Sequence, residues 1–299
     1  MSPGAQGHLA MLAFSALVAG SFSLGSMVAN DIDPAAITAM RFCLASVLVG
    51  GLAYHRGLLR RRDFHAPWRY VVLGGLFAFY FVLMFEGLKT APPVSAASVF
   101  TLVPVLSAGF AWLLLRQIMT GRMALALSIG AVGALWVIFR SDISALLAFD
   151  VGRGEVIYFV GCVSHAIYTP MVRRLNRGEN VVSFTFGALA AGAILLVIYA
   201  APELAAVEYG TLPPLVWVTL AYVVIFATAV TAILLQFAAF RLPSAKVMAY
   251  TYLTPSWVIV WEIMLGNGTP SSLTLGGVAL TVLALFLLLR DDAPVLAKA

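Results

Sequence analysis

Ala91–Leu115, APPVSAASVFTLVPVLSAGFAWLLL, and Leu242–Leu265, LPSAKVMAYTYLTPSWVIVWEIML, are two apolar stretches with a proline in the middle of each, Pro104 and Pro255. Laid over one another at a constant offset, Pro92 meets Pro243, Pro104 meets Pro255, Thr101 meets Tyr252 and Leu102 meets Leu253. A proline that deep in an apolar helix frees a backbone carbonyl and bends the axis. In lipid the loosened backbone is tolerated only where protein or a water-filled cavity takes it up. One such break in each half of the chain points to a transport site between repeats.

The composition agrees. With 62% hydrophobic residues, 10% charged and a mean hydropathy of +0.99, the chain is no soluble globule, for which about 45–50% apolar and about 25% charged is usual. Apolar runs of membrane-spanning length recur from end to end. Ten spans are predicted, at about 8–29, 34–54, 68–89, 92–115, 121–140, 154–174, 181–201, 213–240, 243–265 and 272–290. Breakers mark their connections: Asp33-Pro34, Ala66-Pro67, Pro92-Pro93, Gly178, Pro213-Pro214 and Gly266-Asn267-Gly268. No linker separates soluble domains, so 1–299 reads as a single all-α transmembrane domain. The net charge of +5 does not indicate nucleic acid, because the arginines sit in short turns between spans, where they act as topology signals. Cys43 and Cys162 each fall inside a span without a His or Cys at ligand spacing, so packed, inert thiols are expected and no metal or cofactor. The segment MSPGAQGHLA has no basic n-region, and no cleavable leader is expected.

Arg56, Arg60, Arg61, Arg62 and Arg69 flank the turn after span 2, and Arg116 and Arg122 the turn after span 4. Arg173, Arg174 and Arg177 follow span 6, Arg241 follows span 8, and Arg290 and Lys298 follow span 10. The alternate turns carry only Lys89, Arg140 and Arg153, beside Asp31, Asp33, Asp142, Asp150, Glu203 and Glu208. This bias places both termini in the cytoplasm. Span 6 then starts on the opposite side from span 1. Two inverted five-helix repeats follow, about 8–140 and about 154–290, around a central cavity. A second constant offset pairs Ser21 with His165, Leu24 with Tyr168 and Phe42 with Phe186.

Two sets of five spans, Arg41 within MRFCLAS in span 2, and P-x(11)-P helices at spans 4 and 9 resemble the drug/metabolite transporter superfamily. Within it the pattern is similar to the EamA-type ten-helix exporters, most of all to YddG-like amino-acid exporters. The resemblance covers nearly the whole chain. It implies export of a small-molecule substrate, an amino acid, across the bacterial inner membrane. The chain departs from the family pattern at Thr185, which stands where a second-half counterpart of Arg41 is expected, and at Arg116, where many relatives carry a glutamate.

No Walker loop, GxSxG or HExxH is present, so no catalytic residues are expected. His165 lies about 11 residues into span 6, roughly 16 Å along it, near the bilayer centre. Either it is a neutral histidine bonded to a neighbouring helix, or it contacts substrate or switches protonation in a cavity. Tyr168 lies one turn on, followed by Thr169-Pro170. Aromatics gather at similar depth: Phe79 and Tyr80 in span 3, Phe100 in span 4, Tyr250 and Tyr252 in span 9. A mid-membrane phenol requires a hydrogen-bond partner, which favours cavity lining for Tyr80, Tyr250 and Tyr252. Ser98 and Thr101 in span 4 either let helices pack closely or face substrate, and Gln236 is a further polar candidate low in span 8. Pro104, Pro170 and Pro255 are the expected hinges.

Three charges remain in the outer third: Arg41, Glu86 and Glu262. A lone charge there costs about 3 kcal/mol on insertion scales, so Arg41 is expected to pair with Glu86 or Glu262 and to brace or close an outer gate. The glycines of spans 5 and 10 read as packing or oligomer faces; the oligomeric state is open. The expected function is export of aromatic or other hydrophobic amino acids by alternating access. A different metabolite or drug cargo such as a nucleotide precursor, a membrane-embedded enzyme, and a non-transporting membrane partner are the alternatives. Proton coupling or facilitated diffusion both remain.

Overall fold

The computed structural model describes residues 2–118, 120–139, 142–144 and 151–289. Arg140, Asp150, Arg290 and Lys298, used in the charge argument, lie outside them, as do the ends of both expected repeats at 140 and 290.

The described residues fold into helices joined by turns, with no strand among them. Among the described residues nine helices are long and apolar enough to cross a membrane: Pro3–Val28, Pro34–His55, Trp68–Leu88, Pro93–Leu115, Gly121–Ile138, Arg153–Leu175, Val181–Tyr199, Pro214–Ala239 and Ser272–Leu289. The remaining span, span 9, runs from Ser244 to Met264 in pieces. The expected punctuation starts and stops these helices. Pro34, Pro93 and Pro214 stand at the first position of theirs, where a missing N–H costs nothing and the fixed φ suits the helix. The Asp33 carboxylate accepts from the amides of Ala35 and Ala36, and Thr120 and Asn180 cap spans 5 and 7 in the same way. Gly178, Gly266 and Gly268 adopt φ of 91°, 81° and 81° in the turns, a left-handed conformation that glycine enters without a Cβ clash.

Spans 4 and 9 break at matching places. Span 4 is helical over Pro93–Phe100, turns at Thr101 and Leu102, and restarts at Val103. Span 9 is helical over Ser244–Ala249, tightens to a 3-10 turn at Tyr250–Leu253, and restarts at Thr254. Pro104 and Pro255 are each the second residue of the restarted helix, and both are buried. Pro170, the third expected hinge, differs: span 6 runs helical through it from Arg153 to Leu175, with no break in the helix there. Span 8 holds a feature that its sequence does not announce, a π-helical turn at Ile225–Val230.

The principal packings between the halves come in matched pairs. Span 3 lies on span 6 as span 8 lies on span 1; span 4 meets span 6 as span 9 meets span 1; span 3 meets span 7 as span 8 meets span 2. Spans 2 and 7, 4 and 9, and 5 and 10 pack as partners, and the first part of span 4 lies on the second part of span 9 and vice versa. Exchanging the halves therefore reproduces the arrangement. Small residues let backbones approach: a Cβ on Gly154 would overlap the Gly87 carbonyl, which fixes spans 3 and 6 at close range.

Candidate functional site

At the interface of the halves, spans 1, 3, 4, 6 and 8 enclose a void of only about 10 Å³, the lower limit for one water. The expected central cavity is thus occluded. Its wall is formed by Phe14, Val18, Ser21, Phe77, Tyr80, Phe81, Phe100, His165 and Thr231. The helical period explains the span 3 contribution, because Phe77, Tyr80 and Phe81 share one face at i, i+3 and i+4.

His165 sits inside an aromatic cage. Its ring lies 4.4 Å from that of Tyr80, 5.5 Å from Phe100, and 6.0 Å from both Phe77 and Tyr168. It is 1% exposed, and neither Nδ1 nor Nε2 has a hydrogen-bond partner among the described residues. The neighbouring-helix bond that one sequence reading required is absent. Leaving a buried polar group unpaired costs about 1–3 kcal/mol.

The phenols and amides around it are paired. Tyr80 shares a 2.9 Å hydrogen bond with Tyr158, a residue the sequence did not single out. Gln236 donates from Nε2 to the Tyr168 hydroxyl at 3.0 Å, and its Oε1 accepts from Thr185 at 3.0 Å. Gln236 is fully buried and braces Tyr168 under the cage. Ser98 donates to the Val94 carbonyl at 2.8 Å and Thr101 to that of Ser98 at 2.6 Å. Both donor protons are spent on their own helix.

Three expected cavity residues lie elsewhere. Phe79 is 50% exposed, on the face of span 3 opposite Phe77 and Phe81, beside Val82, Leu195 and Tyr199. Its aromatic character belongs to the apolar outer surface. Tyr250 bonds His8 Nδ1 at 3.1 Å, which ties span 9 to the start of span 1. Tyr252 turns toward span 5, where a Cβ on Gly130 would overlap its ring, and its carbonyl accepts from Thr281 of span 10 at 3.0 Å. Depth, the ground for expecting both tyrosines at the cavity, does not fix facing, and the 3-10 turn over Tyr250–Leu253 alters it relative to a continuous helix.

The expected pairing of Arg41 with Glu86 or Glu262 is not formed. Glu86 binds Lys89 at 2.7 Å and Glu262 accepts from Asn267 at 2.8 Å, both at span ends. Arg41 instead donates from Nε to the Thr228 hydroxyl and from Nη2 to the Ala227 carbonyl at 2.6 Å. Its guanidinium lies 3.6 Å from the centroid of Phe81. A π-turn widens the helix and releases a carbonyl from the ladder, and the Ala227 carbonyl on that turn is one that Arg41 uses.

Each end of the molecule carries a separate feature. At the arginine-rich end, Arg69 binds Glu179 at 2.6 Å and donates to the Leu175 carbonyl at 2.6 Å, which clasps the 2–3 turn to the 6–7 turn. Burial alone would raise the Glu179 carboxyl; the amides of Arg177 and of Glu179 itself, with the Arg69 guanidinium, outweigh it and hold the group below its ordinary value. At the opposite end an open depression of about 420 Å³ is lined by Asp31, Asp33, Glu203 and Glu208 among others, and it shares no lining residue with the central void.

Comparison with known proteins now adds to this geometry. The sequence profile of the EamA-like transporter family matches residues 5–139 and again residues 152–290. An uncharacterized transporter, YyaM of Bacillus subtilis (strain 168), is 27% identical over 266 residues, covering 88% of this chain and 86% of that protein. A crystal structure 20% identical in sequence superposes with a TM-score of 0.72 over 96% of both chains, a likeness of fold. The chain is a multi-pass membrane protein and belongs to the EamA-like transporter family.

Proposed function

We propose that this transporter exports small amphipathic metabolites, aromatic or other hydrophobic amino acids first among them, by alternating access to the caged site. The observation that carries the reading is His165: both ring nitrogens are buried without partners among the described residues, inside an aromatic cage where the two halves meet. A polar group kept unsatisfied at membrane depth stands ready for a ligand, and the surrounding rings suit an apolar side chain. In this reading Tyr80, Phe100, His165 and Tyr168 hold cargo, with Gln236 bracing Tyr168. The breaks beside Pro104 and Pro255 serve as hinges on which the inverted repeats, about 8–140 and 154–290, rock. The similarity to YddG-like exporters and the bacterial relative support an inner-membrane location, and the arginine bias supports cytoplasmic termini.

Proteoliposome flux with a panel of amino acids at two pH values tests it. Aromatic amino acids should exchange fastest. Absence of any amino-acid flux would retire this cargo, and flux indifferent to an imposed pH gradient would retire proton coupling.

A further inference from the structure

Arg41 is 1% exposed in the second span, and no carboxylate lies within ion-pair distance of it among the described residues. A buried charge of this kind is costly unless paired. The partners it does have are neutral. Guanidinium presents five N–H donors in a fixed fork. Here Nε and Nη2, the donors along one edge, are engaged by Thr228 and the Ala227 carbonyl. Nη1 is buried with no acceptor among the described residues. The edge left free, Nη1 with the second proton of Nη2, is the one that receives a planar carboxylate through two parallel hydrogen bonds.

The position of this free edge matters. The guanidinium stacks on Phe81, and Phe81 is itself part of the wall of the central void. Thr231, one turn beyond Thr228 on the same span, lines that void as well. One phenyl ring therefore separates an uncompensated cation from the occluded cage. Phe81 packs against the rings of Phe77 and Tyr80, each 4.7 Å away, and lies 5.9 Å from Phe42.

We propose that Arg41 is the anion-receiving group of the cargo site, held by the π-turn of span 8 with one edge free, and that Phe81 is the door through which a cargo carboxylate reaches it. This rests on the cage being the cargo site, and it narrows the cargo to molecules with an apolar or aromatic body and a carboxylate. His165 then meets the remaining polar part of the ligand.

The test compares compounds that differ only in the anion. In proteoliposomes phenylalanine should be carried at least about tenfold faster than phenylalaninamide, the ratio that one charged hydrogen-bonded pair supplies. Arg41→Gln should bring that ratio to about one, while Glu86→Gln should leave it unchanged. Equal wild-type flux of acid and amide overturns the Arg41 assignment but leaves the amino-acid reading intact. A preference that survives in Arg41→Gln overturns it too. In parallel, phenylacetate and phenylacetamide are compared for thermal stabilisation of the purified wild-type chain, which requires neither flux nor a variant that folds. Stabilisation by phenylacetate alone is expected. Stabilisation by both compounds, or by neither, sinks the anion site, whereas phenylacetate binding without amino-acid flux sinks only the proposed cargo.

Discussion

Nη1 of Arg69 lies 2.6 Å from Oε1 of Glu179, with only 2% and 4% of the two side chains exposed. The pair joins the turn after span 2 to the turn after span 6, one from each half. Removing one partner of a buried pair leaves the other charge uncompensated. Arg69 retains the carbonyls of Leu175, Asp63 and Ala66, so the loss falls at the low end of the usual range. Glu179→Gln should destabilise the purified protein by about 3 kcal/mol in denaturation at neutral pH.

The same carboxylate carries a pH signature. Its folded value is depressed, so its contribution is complete above the unfolded value of about 4.3 and is lost as pH falls through the folded value. The stability gap between wild type and Glu179→Gln should be flat from about pH 6 to 8 and should close on acidification below about 4. A gap that instead widened in acid would contradict the assigned sign.

His165→Phe replaces an unsatisfied imidazole with a ring that the cage already accommodates. The variant should gain about 1 kcal/mol in stability, because an unpaired buried group is removed. Cargo flux should fall at least about tenfold, since a site built for hydrogen bonds loses them. A variant that is both stable and fully active would show that the imidazole plays no part in transport.

Phe77 and Phe79 are two residues apart and expected to behave oppositely. Phe77 is stacked 4.8 Å from Tyr168 and lies 4.7 Å from Phe81, inside the cage. Phe79 faces outward. Phe77→Ala should cost about 3 kcal/mol and abolish flux, the usual penalty for emptying a buried aromatic position. Phe79→Ala should leave flux within about twofold, as outward substitutions away from a site do.

The residues that the sequence placed well are those whose signal is local. Span limits follow from run length and from Pro and Gly punctuation, which is why Pro34, Pro93 and Pro214 stand where helices begin. The breaks in spans 4 and 9 are legible because Pro104 and Pro255 stand at matching places in the two halves, whereas Pro170 lies inside an unbroken helix. Facing was harder. A change of helical pitch over Tyr250–Leu253 shifts every later azimuth, and nothing in the composition of YTYL announces it. Partners distant in the chain are hardest: Arg69 reads as a topology signal although Glu179 lies beside it, and a buried Arg41 calls for a carboxylate where the fold supplies a π-turn.

Tyr252 provides the last discrimination. Its hydroxyl is buried without a partner among the described residues, and its ring fills the space that a side chain at Gly130 would take. If Tyr252 packs span 9 against span 5 and contacts no cargo, Tyr252→Phe removes only an unpaired oxygen. Stability should then rise by about 1 kcal/mol with flux unchanged. Gly130→Val should do the reverse, forcing a fully buried ring out of its socket at about 2 kcal/mol, the range for overpacking. Combining Gly130→Val with Tyr252→Ala should recover part of that loss, because the two changes act on one volume and are not additive. Loss of flux in Tyr252→Phe, with stability maintained, would return this tyrosine to the cargo pathway and show that span 9 turns during transport.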